Sequence, residues 1–151
     1  MALLQANGDQ RKQFSVLDVE GLTKAKDAVR KYLDELNAEK VQLAKRYDSE
    51  ISNPKIILPT IPQDTTCVYH QYVIRSEQRD ELIDYLNERE IGTIIHYPIP
   101  PHLAEGYAYL GHKKGDFPKT ETLAAEVLSI PIYTGMTEEE QERVIQALNA
   151  F

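Results

Sequence analysis

From Ser15 to about Ser49 the apolar residues Leu22, Ala25, Val29, Tyr32, Leu36, Leu43 and Tyr47 recur at helical spacing between charged neighbours. Ser15 and Asp18 resemble a capping box with Asp in the Glu position, and Asn53-Pro54 ends the run. The pattern predicts one long amphipathic helix over 15–50, weakened in its first turns by Gly21. Such a helix would span about 50 Å, more than the diameter of a domain of this size. It is therefore expected to project, bend, or pack on a partner that the rest of the chain does not supply. Residues 1–14 hold Asn7-Gly8-Asp9 and no lasting period, so a disordered N-terminus is expected there.

Beyond residue 50 the period changes. "KIILP" (55–59) reads as a short strand, and "CVYHQYVIR" (67–75) alternates, with Val68, His70, Tyr72 and Ile74 on one face. Ser76 is placed to cap a helix over "EQRDELIDYLNERE", whose buried stripe is Leu82, Ile83 and Leu86. "IGTIIH" returns as a strand, and a short helical piece follows near Leu103 to Leu110. Asp116 and Pro118 mark a helix running to about Val127, and "LSIPIY" reads as a strand that Pro131 confines to an edge or brings to an end. Thr137 and Glu140 form a capping box for a last helix that turns Val144, Ile145 and Leu148 inward. The expected class is α/β (α+β): a long N-terminal helix, then over 51–151 a small, mainly antiparallel sheet covered by helices.

Composition narrows the function more than the fold. The 151 residues are 42% hydrophobic and 27% charged, typical of one globular domain. The formal charge is -7 and the basic residues are interspersed with acids, so no nucleic-acid partner is expected. A single anionic small ligand is still compatible with that balance. No apolar run approaches the roughly 20 residues of a membrane helix, and the start lacks the pattern of a secretory leader, so no membrane association and a cytoplasmic location are expected. One cysteine, Cys67, rules out an internal disulfide within this sequence.

Candidate chemistry centres on "GTIIHYPIPPHL" (92–103), where prolines stiffen a turn that carries His96, Tyr97 and His102. His96 ends a strand and enters a loop, a position from which side chains reach into clefts. His70 lies mid-strand and reads either as a hydrogen-bonded, half-buried histidine or as a ligand-facing one. A metal-dependent hydrolase built on His96, His102 and His112 is disfavoured, because none of the four histidines forms a helical i, i+4 pair. Tyr97, Tyr107, Tyr109 and Tyr133 could line a pocket or serve as core edges. There is no glycine-rich phosphate cradle, no G-x-S-x-G elbow and no paired-carboxylate motif.

Three runs taken together, "YHQYVIRSEQRDELIDYLNEREIGTIIHYPIPPHL", "AYLGHKKGDFPKTETLAAEVLSIPIY" and "GMTEEEQERVIQAL", resemble the C-terminal part of the DegT/DnrJ/EryC1/StrS aminotransferases. "LDVEGLTKAKDAVRKYLDELNAEKVQLAKRY" is similar to that family's long helix between its large cofactor domain and its small domain. The resemblance implies the small domain of a fold-type I aminotransferase, in a family that uses pyridoxal phosphate on nucleotide sugars in polysaccharide biosynthesis. It implies substrate contact for His96 and Tyr97, with His70 and His102 as further candidates. The family's lysine, pyridinium partner and phosphate cup have no counterpart in these residues, so no catalytic residue, no cofactor-binding residue and no pyridoxal phosphate bound by this chain alone are expected. The expected partners are a large cofactor domain, or a second copy through the long helix, together with a nucleotide sugar. The alternative from another class is a noncatalytic assembly module that uses the long helix. Where the family has glycine at a helix end, this chain has Glu90, so that end is expected to differ or to carry mild strain.

Overall fold

The computed structural model describes residues 19–151, and residues 1–14 with the Ser15/Asp18 cap lie outside the described residues. Helix α1 runs Val19–Glu50. Strand β1 is Tyr72–Arg75, α2 is Arg79–Asn87, and two 3-10 segments cover Pro101–Leu103 and Glu105–Leu110. Helix α3 is Pro118–Glu126, β2 is Val127–Ile130 and α4 is Glu138–Ala150. Contacts divide the described residues into one unit ending at Asn37 and a second, Ala38–Phe151. No helix among the described residues is long and apolar enough to cross a membrane.

The second unit is built around β1 and β2, paired antiparallel with Tyr72 opposite Ile130 and Arg75 opposite Val127. Four strands were expected and two form; the other two shrink to single antiparallel bridges, Ile57 to Arg75 and Ile94 to Ser129. Ile57 flanks β1, and Ile94 flanks β2. Prolines supply the reason. Continuing either ladder by one hydrogen-bonded pair would set Pro59 opposite Val73 and Pro131 opposite Gly92, and proline has no N–H to donate.

The predicted strand over 67–75 also starts late. Tyr69 takes a left-handed φ of 48°, which breaks the two-residue alternation. As a result Tyr69 and Tyr72 turn to the same side and stack, ring centroids 5.8 Å apart. Tyr72 and Ile74 face the core as expected, but Val68 and His70 are exposed.

Leu82 and Leu86 of α2, Leu128 and Ile130 of β2, and Val144, Ile145 and Leu148 of α4 close over that face with Ala44 and Tyr47 of α1. Fully burying each large aliphatic side chain contributes about 1.5–3 kcal/mol. Helix α2 begins at Arg79, later than expected, and Ser76 does not cap it: the Ser76 hydroxyl accepts from the N–H of Gln78, the residue just ahead of the helix, at 3.2 Å. The buried Arg79 guanidinium ties α2 to the α3–β2 junction by donating to the carbonyls of Ala124 and Val127, both at 3.3 Å. The helical piece near Leu103–Leu110 is 3-10 rather than α, interrupted by extended Ala104 and stopped by Gly111 at φ 75°. The Thr137/Glu140 capping box forms as read: the Glu140 N–H donates to Thr137 Oγ1 at 3.2 Å and the Thr137 N–H to Glu140 Oε2 at 2.8 Å.

Two asparagines tie the ends of α1 and α4 together. Asn149 Nδ2 donates to the Glu50 carbonyl at 2.8 Å, and its Oδ1 accepts from the Ser52 N–H at 2.8 Å. Asn53 Nδ2 in return donates to the Leu148 carbonyl at 2.7 Å. Each side chain thereby satisfies a carbonyl that a helix end would otherwise leave open. Glu90 occupies the left-handed position after α2, with φ 57°. The Glu90 N–H donates to the Asn87 carbonyl (2.9 Å) and the Ile91 N–H to the Leu86 carbonyl (3.0 Å), the two bonds of a Schellman motif.

Candidate functional site

β2 carries one polar side chain, Ser129, on a strand otherwise filled by Val127, Leu128 and Ile130. Its backbone bridges Ile94, which holds the segment Gly92–His96 alongside β2. The consequence is a cleft of about 240 Å³ whose lining includes His70, Thr93, His96, Ser129, Pro131 and Tyr133. Pro131, the residue just beyond the end of β2, is part of that lining.

Within the cleft the rigid anchor is the contact between His96 Nδ1 and Ser129 Oγ, 2.9 Å. It commits one ring nitrogen and leaves Nε2 for a second partner. The Thr93 hydroxyl is buried with no hydrogen-bond partner. The phenol of Tyr133 is held above the ordinary tyrosine range, first by its hydrogen bond to the Glu140 carboxylate and then by burial. Glu140 is held below the usual carboxylate range, first by the Thr137 backbone N–H and then by Tyr133. Tyr133 is thus a protonated donor at neutral pH, anchored to the capping box of α4.

Of the residues expected to meet a substrate, the structure brings two into this cleft, His70 and His96. Tyr97 is 76% exposed and lies outside the lining, its ring edge-on to His96 at 5.7 Å. His102 belongs to a different cluster. Its Nε2 meets Glu121 Oε1 at 3.0 Å, and its ring packs on Phe117, 4.8 Å between centroids. His112 packs against the same Phe117, 5.0 Å between centroids, and its Nδ1 lies 3.4 Å from Asp116 Oδ2. The Gly115 N–H donates to Glu121 at 2.7 Å and the Lys113 N–H to Asp116 at 3.0 Å. Each of these backbone donors is the first cause that holds its carboxylate below the ordinary range. This second cluster fastens the turn 111–117 to the proline loop. Among the described residues no three His, Cys, Asp or Glu side chains are arranged to hold a metal.

Ser129 and Thr93 were missed in the sequence. The available signal was Ser129 itself, a lone polar residue in "VLSIPI", but its value depends on pairing with Ile94, which sequence spacing does not reveal. The lining also bears on the cofactor. Pyridoxal phosphate needs an amine for its aldehyde and an acid beside its ring nitrogen. The cleft contains neither lysine nor carboxylate, so its residues do not fit that group and none of its steps is assigned to them.

Comparison with known proteins gives a consistent picture. The model of the DegT/DnrJ/EryC1/StrS aminotransferase family matches residues 29–149. The chain is 42% identical over 120 residues to dTDP-3-amino-3,6-dideoxy-alpha-D-galactopyranose transaminase of Aneurinibacillus thermoaerophilus, a match covering 80% of this chain and 32% of that protein. It is 40% identical over 121 residues to the erythromycin biosynthesis sensory transduction protein EryC1 of Saccharopolyspora erythraea, covering 80% and 33%. Among solved structures it is similar to S. venezuelae DesV in complex with a ketimine intermediate, with a TM-score of 0.76, 38% identity, and coverage of 79% of this chain and 32% of that one. The chain thus spans about a third of the length of the relatives it matches.

Proposed function

The chain belongs to the DegT/DnrJ/EryC1/StrS aminotransferase family, and from that membership we propose that it serves as the C-terminal small domain of a pyridoxal-phosphate-dependent nucleotide-sugar aminotransferase. In this reading it supplies substrate contacts to a large cofactor-binding domain and no catalytic group of its own. One observation carries the reading: His70 and His96 converge on a single cleft, with His96 held in place by Ser129. Imidazole, hydroxyl and phenol groups hydrogen-bond sugar hydroxyls or phosphate oxygens without the desolvation cost of a buried full charge. Tyr97, exposed at the rim beside His96, and His102, behind the loop, would act there as an outer contact and as a brace for the loop. A cytoplasmic location goes with the free thiol of Cys67.

The test is a titration of the chain with a dTDP-hexose, followed by imidazole NMR signals. The expected result is movement of the His70 and His96 resonances with little change at His102 and His112, and its loss in His96→Ala. Saturating ligand that leaves His70 and His96 unmoved overturns the reading. A second arm adds pyridoxal phosphate and borohydride: the expected result is no lysine adduct at a defined site. One trapped lysine accompanied by turnover of a keto sugar overturns the noncatalytic assignment.

A further inference from the structure

We propose that Glu121 is a positioning residue for the cleft: by holding His102 it fixes the far end of the proline loop, and through that loop the placement of the His96 imidazole. The loop is tied down at two histidines six positions apart. At one end His96 Nδ1 meets Ser129 Oγ at 2.9 Å, and at the other His102 Nε2 meets Glu121 Oε1 at 3.0 Å. Both receiving groups belong to one continuous segment, because α3 ends at Glu126 and β2 begins at Val127. That base is itself clamped. The Arg79 guanidinium donates to the carbonyls of Ala124 and Val127, and Arg75 Nη2 pairs with Glu126 Oε2 at 2.6 Å.

Between the anchors lie Tyr97, Pro98, Ile99, Pro100 and Pro101. The three prolines fix φ along most of that span, so a displacement at one end is passed to the other rather than absorbed. The far anchor is the better built. The side chains of His102 and Glu121 are 7% and 16% exposed, and the His102 ring is backed by Phe117 at 4.8 Å. The same Glu121 oxygen accepts from the Gly115 N–H at 2.7 Å, so the carboxylate cannot swing away from the ring without giving up a second bond. A hydrogen bond to a carboxylate is stronger than one to a neutral hydroxyl, which makes the Ser129 contact the weaker of the two. That contact therefore depends on the loop being brought to it. With His102 held, only the five residues 97–101 have to be ordered for His96 to reach Ser129. Glu121 is not among the residues lining the cleft, so its effect there is exerted through His102. The consequence for binding rests on the reading of the cleft as a substrate surface, whereas the placement of His96 does not.

Imidazole nitrogen shifts of the ligand-free chain test the placement, and titration with a dTDP-hexose tests its consequence. In Glu121→Ala the His96 signals are expected to move toward those of a ring free to rotate, and the affinity to fall about tenfold. His102→Ala is expected to do the same, and the double variant to do no more than either single one, because each removes the same bond. His102→Gln keeps an amide N–H for Glu121 and is expected to retain the parent His96 spectrum and most of the affinity. A purely structural role would lower the urea midpoint and leave the His96 spectrum as it is. A His96 spectrum in Glu121→Ala identical to the parent's overturns the proposal, as does a His102→Gln variant that behaves like His102→Ala. A parent chain that binds no dTDP-hexose overturns the reading of the cleft, and the ligand-free spectra still decide the role of Glu121.

Discussion

Ser129 Oγ lies 2.9 Å from His96 Nδ1, joining a buried strand residue to a loop histidine across 33 positions of sequence. The bond fixes how the ring is presented: whichever of the two groups donates, Nε2 is the nitrogen turned to other partners. Ser129→Ala removes the anchor and leaves the ring free to rotate. The expected stability loss is about 1 kcal/mol. The larger expected effect is a change in the His96 tautomer population, read from imidazole nitrogen shifts, while His102 keeps its spectrum. Identical His96 spectra in the two proteins would count against an anchoring role.

Glu90 sits at φ 57° with a side chain where glycine would be unstrained. Arg143 holds its carboxylate at 3.1 Å, but both side chains are largely exposed and such pairs contribute little. Glu90→Gly is therefore expected to raise stability by about 1 kcal/mol in urea unfolding, and Glu90→Val to lower it by at least as much. A glycine variant less stable than the parent would show that Arg143 outweighs the backbone cost.

How much of this was legible in the sequence depended on the range of the interaction concerned. The stripe of α1, its stop before Pro54, the Thr137/Glu140 box and the inward face of α4 were readable because each rests on residues three or four apart. Pro131 was readable as a strand end, but the matching effect of Pro59 was not. It depends on Ile57 pairing with Arg75, a partner that local spacing cannot name. Tyr69 misled because an aromatic residue in an alternating run favours strand, whereas here stacking on Tyr72 goes with a left-handed turn. The site divides the same way. His96 stood out by its place in a proline loop, whereas Ser129 and Thr93 became visible only once the loop was laid beside β2.

The Tyr72 hydroxyl donates to Asp48, and the Tyr47 hydroxyl donates to the Pro131 carbonyl at 2.7 Å. Burial is the first cause that holds both phenols above their ordinary range, with Asp48 adding to the effect on Tyr72. A phenol whose folded value is raised stabilises fully below its unfolded value, near pH 10, and that stability is lost as pH rises through the folded value. Urea unfolding is therefore expected to hold up to about pH 10 and to weaken progressively above it. Tyr72→Phe is expected to cost stability at neutral pH yet flatten the alkaline fall. An equally steep fall in that variant would place the titrating group elsewhere.

Glu121 accepts from the Gly115 N–H and meets His102, and its carboxyl is held below the ordinary value of 4.5, first by that backbone donor. For a depressed carboxylate the sign is opposite to that of the tyrosines. The stabilisation is whole above the unfolded value and is lost as pH falls through the folded one. The amides of the turn 111–117, Gly115 first among them, are expected to lose hydrogen-exchange protection as the pH is taken below about 4.5, while β1 and β2 stay protected. Glu121→Gln keeps an acceptor oxygen for Gly115 but no longer titrates, so its turn should be less well protected at neutral pH and indifferent to acid. Acid sensitivity of Gly115 unchanged in Glu121→Gln would mean that Asp116, bound to the Lys113 N–H in the same turn, is the carboxylate that governs it.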